Sequence, residues 1–394
     1  MRPNSRDLDP RDTAEALFGA ELRARRVAAG LSLRQLASLV LISHALLARI
    51  ETAQRRPQPD VVDRLDAVLR ANGELKRWAE PLTDFARPPY RIELDPDSAE
   101  IAVRKLITKV RTADHTMAAG HLDDVIVYAH GAQQIVSRVD ASQRVSLHRA
   151  IAEAHQLTGW MQFDRGSVAA AERSFTAARR AAEQANALDL LAFVGGPNAG
   201  FVSTWAGDPD RGAELCYASL GWARRSQNHR LTAFVTTMAA RAHARMGETE
   251  LCLQMLGEAE TALSRHRPDE PDPVWLEVFD DAALAGHRGS CLLDLGQFRA
   301  AVDALREQES SSPAAFVRNR TIWLLEQAEA QLRMGDQEAA AATVEQAMNG
   351  VESGLITPRV ARLFRSIDLK LRACEDAAIA EIRDRLELFI AASL

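Results

Sequence analysis

Lysine, cysteine and aromatic residues are scarce in this chain: four Lys against 44 Arg, four Cys, and 5% aromatic residues among 394. No stretch of about 18 uncharged apolar residues occurs, so no membrane span is expected. Met1 to Arg11 is studded with Arg and Asp and lacks the cationic-then-apolar order of a secretory signal, which makes the cytoplasm the expected location. The cysteines, at 216, 252, 291 and 374, lie 36, 39 and 83 residues apart. That spacing contains no CxxC or Cys/His cluster, and they read as small packing residues with no metal site. No HExxH pair and no nucleophile elbow is present, so neither catalysis nor a cofactor is expected. Gly195-Gly196-Pro197-Asn198-Ala199-Gly200 is glycine-rich. No strand precedes it and no Lys-Ser/Thr follows, so it reads as a kink or interruption in a helix, not a phosphate loop. The excess of Arg over Lys suits a GC-rich bacterial genome, and Arg frequency alone is therefore weak evidence for phosphate contacts.

What is abundant is Ala, Leu and Arg, which favours helix over sheet. At 394 residues the chain is too long for one compact core, and one short domain followed by an extended array fits as well as two globules. The charge is uneven. Phe18 to Pro59 holds seven Arg and two acids, a net of +5, which leaves −11 on the rest of a chain whose total is −6. A basic segment ahead of an acidic body is the asymmetry expected when one end meets a polyanion.

The spacing predicts five short helices in the first 85 residues, after a flexible arm at 1–13. Leu17, Leu22 and Val27 mark the inner face of the first, closed by Gly30. Ser32 caps a second helix carrying Leu33, Leu36, Ala37 and Val40, and Ser43 caps a third anchored by Leu46, Leu47 and Ile50. After the polar break Gln54 to Pro59, Asp60 is expected to cap a fourth, ending at Asn72-Gly73. The runs Leu31 to Ala37, Ile42 to Glu51 and Arg55-Arg56-Pro57-Gln58-Pro59 together resemble the DNA-binding domain of the Xre family, the five-helix lambda-repressor-like helix-turn-helix. Ala37 stands where helices two and three must touch closely. Leu41 departs from the family, which usually ends helix two with Gly, and a leucine there is strained if φ is positive.

The resemblance implies that the third helix enters the major groove with its N-terminal residues at base edges. Ser43, His44, Ala45, Ala48 and Arg49 would then face DNA, with Arg49 the best candidate for bidentate contact to guanine. Arg34, Gln35, Arg55 and Arg56 would hold the backbone. Taken singly, Arg49 could equally pair with Glu51 or a neighbouring helix.

Beyond the linker the chain repeats. Glycines 166, 207, 247, 296 and 335 each end an apolar helix, at separations of 41, 40, 49 and 39, and Gly120 lies 46 before the first. Seven residues before each stands Gly159, Gly200, Ala240, Gly289 or Ala328; five after, Ala171, Gly212, Cys252, Ala301 or Ala340; nine after, Phe175, Cys216, Leu256, Leu305 or Val344. This order of small, turn, small and bulky residues is similar to the tetratricopeptide repeat, with longer units. The resemblance implies an α-solenoid with a concave groove. Register assigns to its wall Gln156, Trp160, Asp164, Phe201, Trp205, Thr237, Arg241, Arg245, Ser290, Asp294, Glu329 and Arg333, with Asn319 at the rim. The aromatic members are equally readable as ordinary core. Two amphipathic helices in Ala361 to Leu394 would cap the open end or mediate dimerisation.

The expected fold is therefore all-α. It comprises a helix-turn-helix domain at 14–82, a Pro-rich linker at 83–97 and a repeat sensor and dimerisation domain at 98–394. This order of domains resembles actinobacterial regulators and the peptide-responsive regulators of Gram-positive bacteria. It implies a sequence-specific transcriptional regulator with double-stranded DNA as one partner. The others are a second copy of the chain in a homodimer and a peptide, small molecule or protein in the groove. The alternative is a repeat scaffold that binds a partner protein without reading DNA.

Overall fold

The computed structural model describes residues 14–71, 73–79, 92–115, 121–267, 269, 272–311, 316–351, 356–372 and 377–393. All regular secondary structure among them is helical. The expected arm at 1–13, most of the expected linker and Gly120 lie outside the described residues.

Five helices come first: α1 (Ala14–Ala28), α2 (Leu33–Leu39), α3 (His44–Glu51), α4 (Pro59–Val68) and α5 (Glu74–Ala79). Ser32 closes a capping box on α2, its Oγ accepting from Gln35 N while Gln35 Oε1 accepts from Ser32 N. Ser43 Oγ accepts from Leu46 N at 3.1 Å and starts α3. The expected Asp60 cap is corrected: Gln58 is the N-cap, without a side-chain bond, and Pro59 opens α4. Proline suits that position because its fixed φ is helical and the missing N–H has no intrahelical partner there. Val27 is also corrected, being 61% exposed while Phe18 and Leu22 take the core.

The repeat region follows as α6 (Ala99–His115), α7 (Leu122–Ile135), α8 (Ala141–Asp164), α9 (Val168–Gln184), α10 (Leu188–Phe193), α11 (Phe201–Trp205), α12 (Pro209–Arg225), α13 (His229–Met246), α14 (Thr249–Leu263), α15 (Asp281–Asp294), α16 (Phe298–Ser311), α17 (Val317–Arg333), α18 (Gln337–Asn349), α19 (Pro358–Leu371) and α20 (Ala377–Ser393). All five repeat glycines have φ between 73° and 90°. At each, the glycine N–H and the next N–H bond back to carbonyls three and five residues earlier, as at Gly296 to Leu293 and Gln297 to Leu292. This double bond satisfies the last carbonyls of the first helix and turns the chain into the second.

The small residues have an equally direct cause. A Cβ on Gly159 would lie 2.5 Å from Phe175, and one on Gly289 would lie 2.5 Å from Leu305 and 3.2 Å from the Ala301 carbonyl. The positions seven before and nine after each turn are thus pressed together, and the position five after brings its backbone against them.

The N-terminal helices are not a separate bead. One apolar cluster runs from Phe18, Leu47 and Leu65 into Phe364, Leu371 and Leu386 of α19 and α20. The two amphipathic helices expected in Ala361 to Leu394 are α19 and α20; α19 is buried along most of its length and packs on α17 and on α1.

Candidate nucleic-acid interface and ligand cavity

Helices α2 and α3 cross where Ala37, Leu47 and Ile50 are buried, which fixes the angle between them. Between them, Leu41 takes φ 56° and is 81% exposed. Leu41 N donates to Ser38 O and Ile42 N to Ala37 O, so this is the same reversal that glycine makes at the repeat turns, held here by a leucine. On the outer face Ser43, His44, Ala45 and Arg49 are exposed and Ala48 is half-buried; Arg34, Gln35 and Arg55 are exposed around them. Arg49 has no ion pair among the described residues. Glu51 is engaged instead by Arg26, through Nε at 2.6 Å and Nη2 at 2.9 Å. Burial of Arg26 opposes its charge, but the Glu51 bond outweighs this and raises its pKa. Arg25 likewise pairs with Glu21 and Glu74. Two of the seven arginines counted in the sequence therefore hold the domain together and are not offered outward.

A second site lies within the repeats. A cleft of about 890 Å3, its open mouth included, is walled by α6, α8, α10 to α11, α13, α15, α17 and the start of α19. Four of the six tryptophans line it: Trp160, Trp205, Trp275 and Trp323. Trp275 stacks on Phe193 with centroids 4.3 Å apart, and Phe234 on Phe279 at 4.4 Å. The glycine-rich stretch forms one π-helical turn, Val194–Gly200, between α10 and α11. Asn198 turns its side chain back onto this turn, Nδ2 donating to the Phe193 carbonyl at 2.8 Å. Asn198 Oδ1 in turn accepts from Gln156, whose Oε1 accepts from Arg111 at 3.3 Å.

Charges in this cleft are buried and mostly paired. Arg318 Nη1 meets Asp114 at 2.7 Å and Asp164 at 2.8 Å. Arg359, from the first turn of α19, meets Asp164 at 2.9 Å and lies over Phe163 at 4.8 Å and Trp160 at 5.2 Å. Ser290 donates to Glu326. Burial and nearby Arg318 and Arg111 push His115 down to about 4, and burial with Arg241 pushes His287 down to about 3. Both imidazoles are neutral at pH 7.

The helix-turn-helix domain family matches residues 17–79, the stretch that carries the α2–α3 crossing and the exposed α3 face. Residues 17–79 form a helix-turn-helix domain. No curated protein matches the chain in sequence. Among solved structures, Bacillus thuringiensis PlcR, in a crystal with the peptide PapR7 and DNA, is similar at 14% identity over 83% of this chain and 99% of that one, with a TM-score of 0.34.

Of the residues assigned to the groove by register, Gln156, Trp160, Phe201, Trp205, Arg241, Ser290 and Asn319 line the cleft. Arg245 and Asp294 line a smaller pocket beside it, which shares Phe201, Trp205 and Arg241. Asp164 anchors two arginines at its edge. Three assignments are corrected, since Thr237, Glu329 and Arg333 line neither space. Thr237 is fully buried and donates to the Ala233 carbonyl, while Glu329 pairs with Arg333 and Lys370. Arg111, Asp114, His115, Phe193, Asn198, Trp275, Arg318 and Arg359 were not foreseen. One signal was available for Trp275: the 49-residue interval between Gly247 and Gly296 exceeds its neighbours by about nine. That excess is the segment between α14 and α15 which carries Trp275 inward. No group of His, Cys, Asp and Glu among the described residues could hold a metal ion, and no single described helix is long and apolar enough to cross a membrane.

Proposed function

We propose that the chain is a sequence-specific DNA-binding transcription regulator whose repeat cleft takes a signal molecule. The observation that carries this is the outer face of α3. Ser43, His44, Ala45 and Arg49 are exposed there with Arg34 and Arg55 beside them, while the nearest acid, Glu51, is turned inward onto Arg26. A guanidinium in the last turn of a short groove-sized helix, without an ion pair among the described residues, can fork onto the O6 and N7 of guanine, and flanking arginines can neutralise phosphates. Ser43 and Gln35 already use one oxygen each in capping, and they retain O–H and N–H donors for phosphate. Arg56 is half-buried and ranks below Arg55 as a phosphate contact.

In this reading two copies form a homodimer on a two-fold operator with half-sites about 34–36 Å apart. A route from the cleft to the DNA-binding domain is available in α19. Its first turn places Arg359 over the cleft aromatics, and two turns later Arg365 grips Glu21 of α1 at 2.5 Å. A signal that displaces Arg359 would tilt α19 and carry α1, and with it α3, to a new angle. In this reading α19 is the element that both sites bias.

The test is DNA binding by the full chain on operator fragments recovered from the genome. Arg49→Ala is expected to cost about 1–3 kcal/mol and to relax preference at one base. Arg55→Ala should weaken all sequences alike and flatten the salt dependence by about one phosphate. Indifference of DNA affinity to both substitutions would leave a repeat scaffold as the better account.

A further inference from the structure

The cleft has more buried hydrogen-bond donors than acceptors to meet them. Arg241 is 6% exposed, yet its Nε and Nη1 have no partner, and its Nη2 stands 3.8 and 3.9 Å from Asp294 and Glu326, beyond hydrogen-bond reach. The indole N–H groups of Trp275 and Trp205 are buried and unpartnered as well. Arg111 keeps one long bond to an amide and has no carboxylate within ion-pair distance among the described residues. The carboxylates that face these groups are held by others: Asp114 and Asp164 by Arg318, Glu326 by Ser290 and Asp294 by Arg245, although one oxygen each of Asp164 and Asp294 makes no hydrogen bond. A buried donor left without an acceptor is unfavourable, and a guanidinium costs most. What completes this wall is a molecule that brings oxygen acceptors, and for a planar guanidinium a planar carboxylate is the matching shape.

The remaining wall is flat and aromatic. A chain with 5% aromatic residues concentrates Trp160, Phe193, Phe201, Trp205, Phe234 and Trp275 around this one space. Offset-stacked and edge-on contacts of that kind suit a planar ring. We propose that the cleft binds a small aromatic carboxylic acid, its ring between the tryptophan and phenylalanine faces and its carboxylate on Arg241 with the Trp275 indole N–H. With His115 and His287 neutral, the cationic donors this wall offers at neutral pH are the two guanidinium groups without a hydrogen-bonded carboxylate, Arg111 and Arg241, the latter with Asp294 and Glu326 at 3.8 and 3.9 Å. This assignment deepens the reading of the repeats as a sensor and rests on it only for the consequence at DNA.

The experiment is calorimetric titration of the full chain with benzoate, 2-naphthoate and indole-3-acetate, each beside its neutral amide. At least one acid should bind one-to-one and at least about tenfold more tightly than its amide, the size of a charge-assisted hydrogen bond. Arg241→Met should remove that acid-over-amide preference and Arg241→Lys should restore part of it. Trp275→Leu should weaken acid and amide alike; thermal melting identifies any variant that fails to fold. The proposal is overturned if none of the acids binds, if amides bind equally well, or if the preference survives Arg241→Met. Binding of the peptide Gly-Gly-Trp with none of the free acids would overturn it in favour of a peptide site. DNA affinity with and without the bound acid reads the sensor separately. An acid that binds but leaves DNA affinity unchanged supports the site and removes its regulatory role.

Discussion

The contact between Arg365 and Glu21 joins residues 344 apart in sequence, and its removal has a calculable effect. Glu21 is 1% exposed and Arg365 5% exposed in their side chains. Arg365 donates to both carboxylate oxygens, at 2.5 and 3.1 Å. Burial pushes the Glu21 carboxyl up, but the bonds and charge of Arg365 and Arg25 outweigh it and leave the pKa below its ordinary value. Breaking a buried pair by removing one partner costs about 3–5 kcal/mol. Because Arg25 remains on Glu21 at 2.7 Å, Arg365→Met should cost less than that range, about 2–3 kcal/mol. The double variant Glu21→Leu with Arg365→Met should recover the part of the loss that comes from stranding Glu21, with Arg372 left on Asp368 and Glu74 on Arg25. Urea unfolding of the wild type, both single variants and the double variant gives the coupling energy, expected at about 1.5 kcal/mol or more. A lowered carboxylate pKa contributes stability that is fully present above pH 4.5 and is lost as pH falls through the folded value. Arg365→Met should therefore also flatten the acid limb of the stability curve. A coupling energy below about 0.5 kcal/mol would mean that α1 and α19 do not depend on each other, and the proposed route from cleft to DNA would fall with it.

Further outcomes follow from the turns, the helix crossings and the buried histidines. Leu41→Gly relieves a left-handed backbone in an exposed residue and should raise the denaturation midpoint, with a net gain of about 0.5 kcal/mol after the extra freedom of the unfolded glycine is subtracted; a fall would mean that the leucine side chain makes a contact worth more than the strain. Gly289→Ala drives a Cβ to 2.5 Å from Leu305 and should lower stability by about 1–2 kcal/mol despite the better helix propensity. Gly221→Ala and Gly257→Ala meet nothing within 4 Å and should raise it by about 0.5–1 kcal/mol each, so equal effects at all three positions would refute the crossing geometry. His115 and His155 are held near 4 by burial and neighbouring charge. Unfolding lets both protonate, so stability should be steady above pH 6.5 and fall between 6.5 and 4, by about 2 kcal/mol per histidine at pH 5. Thermal melts of His155→Phe, which lacks that titration, should show a shallower decline over the same range.

Local rules made much of this chain legible from its residues. Glycine at a fixed interval turned out to mark left-handed turns because nothing else adopts that backbone without strain. Ser32 and Ser43 were readable as caps because an oxygen there meets an otherwise unpaired N–H a few residues on. The small-and-bulky alternation was readable because two helices can cross closely only where one lacks a side chain. Asp60 misled because a proline one residue earlier had already fixed the start of α4. Val27 misled because helical periodicity gives a face and not its neighbour. Register gave seven residues of the cleft, Gln156, Trp160, Phe201, Trp205, Arg241, Ser290 and Asn319, and tertiary structure alone decided the rest. Trp275 comes from an insertion between repeats, Asn198 is held inward by Gln156 and the Phe193 carbonyl, and Arg359 reaches across from α19 to Asp164, nearly 200 residues earlier. Spacing along one helix fixes which residues share a face; which faces meet depends on how separate helices pack. The gathering of four buried arginines, Arg111, Arg241, Arg318 and Arg359, in the cleft, and the link from there to α1, belong to that second kind of information.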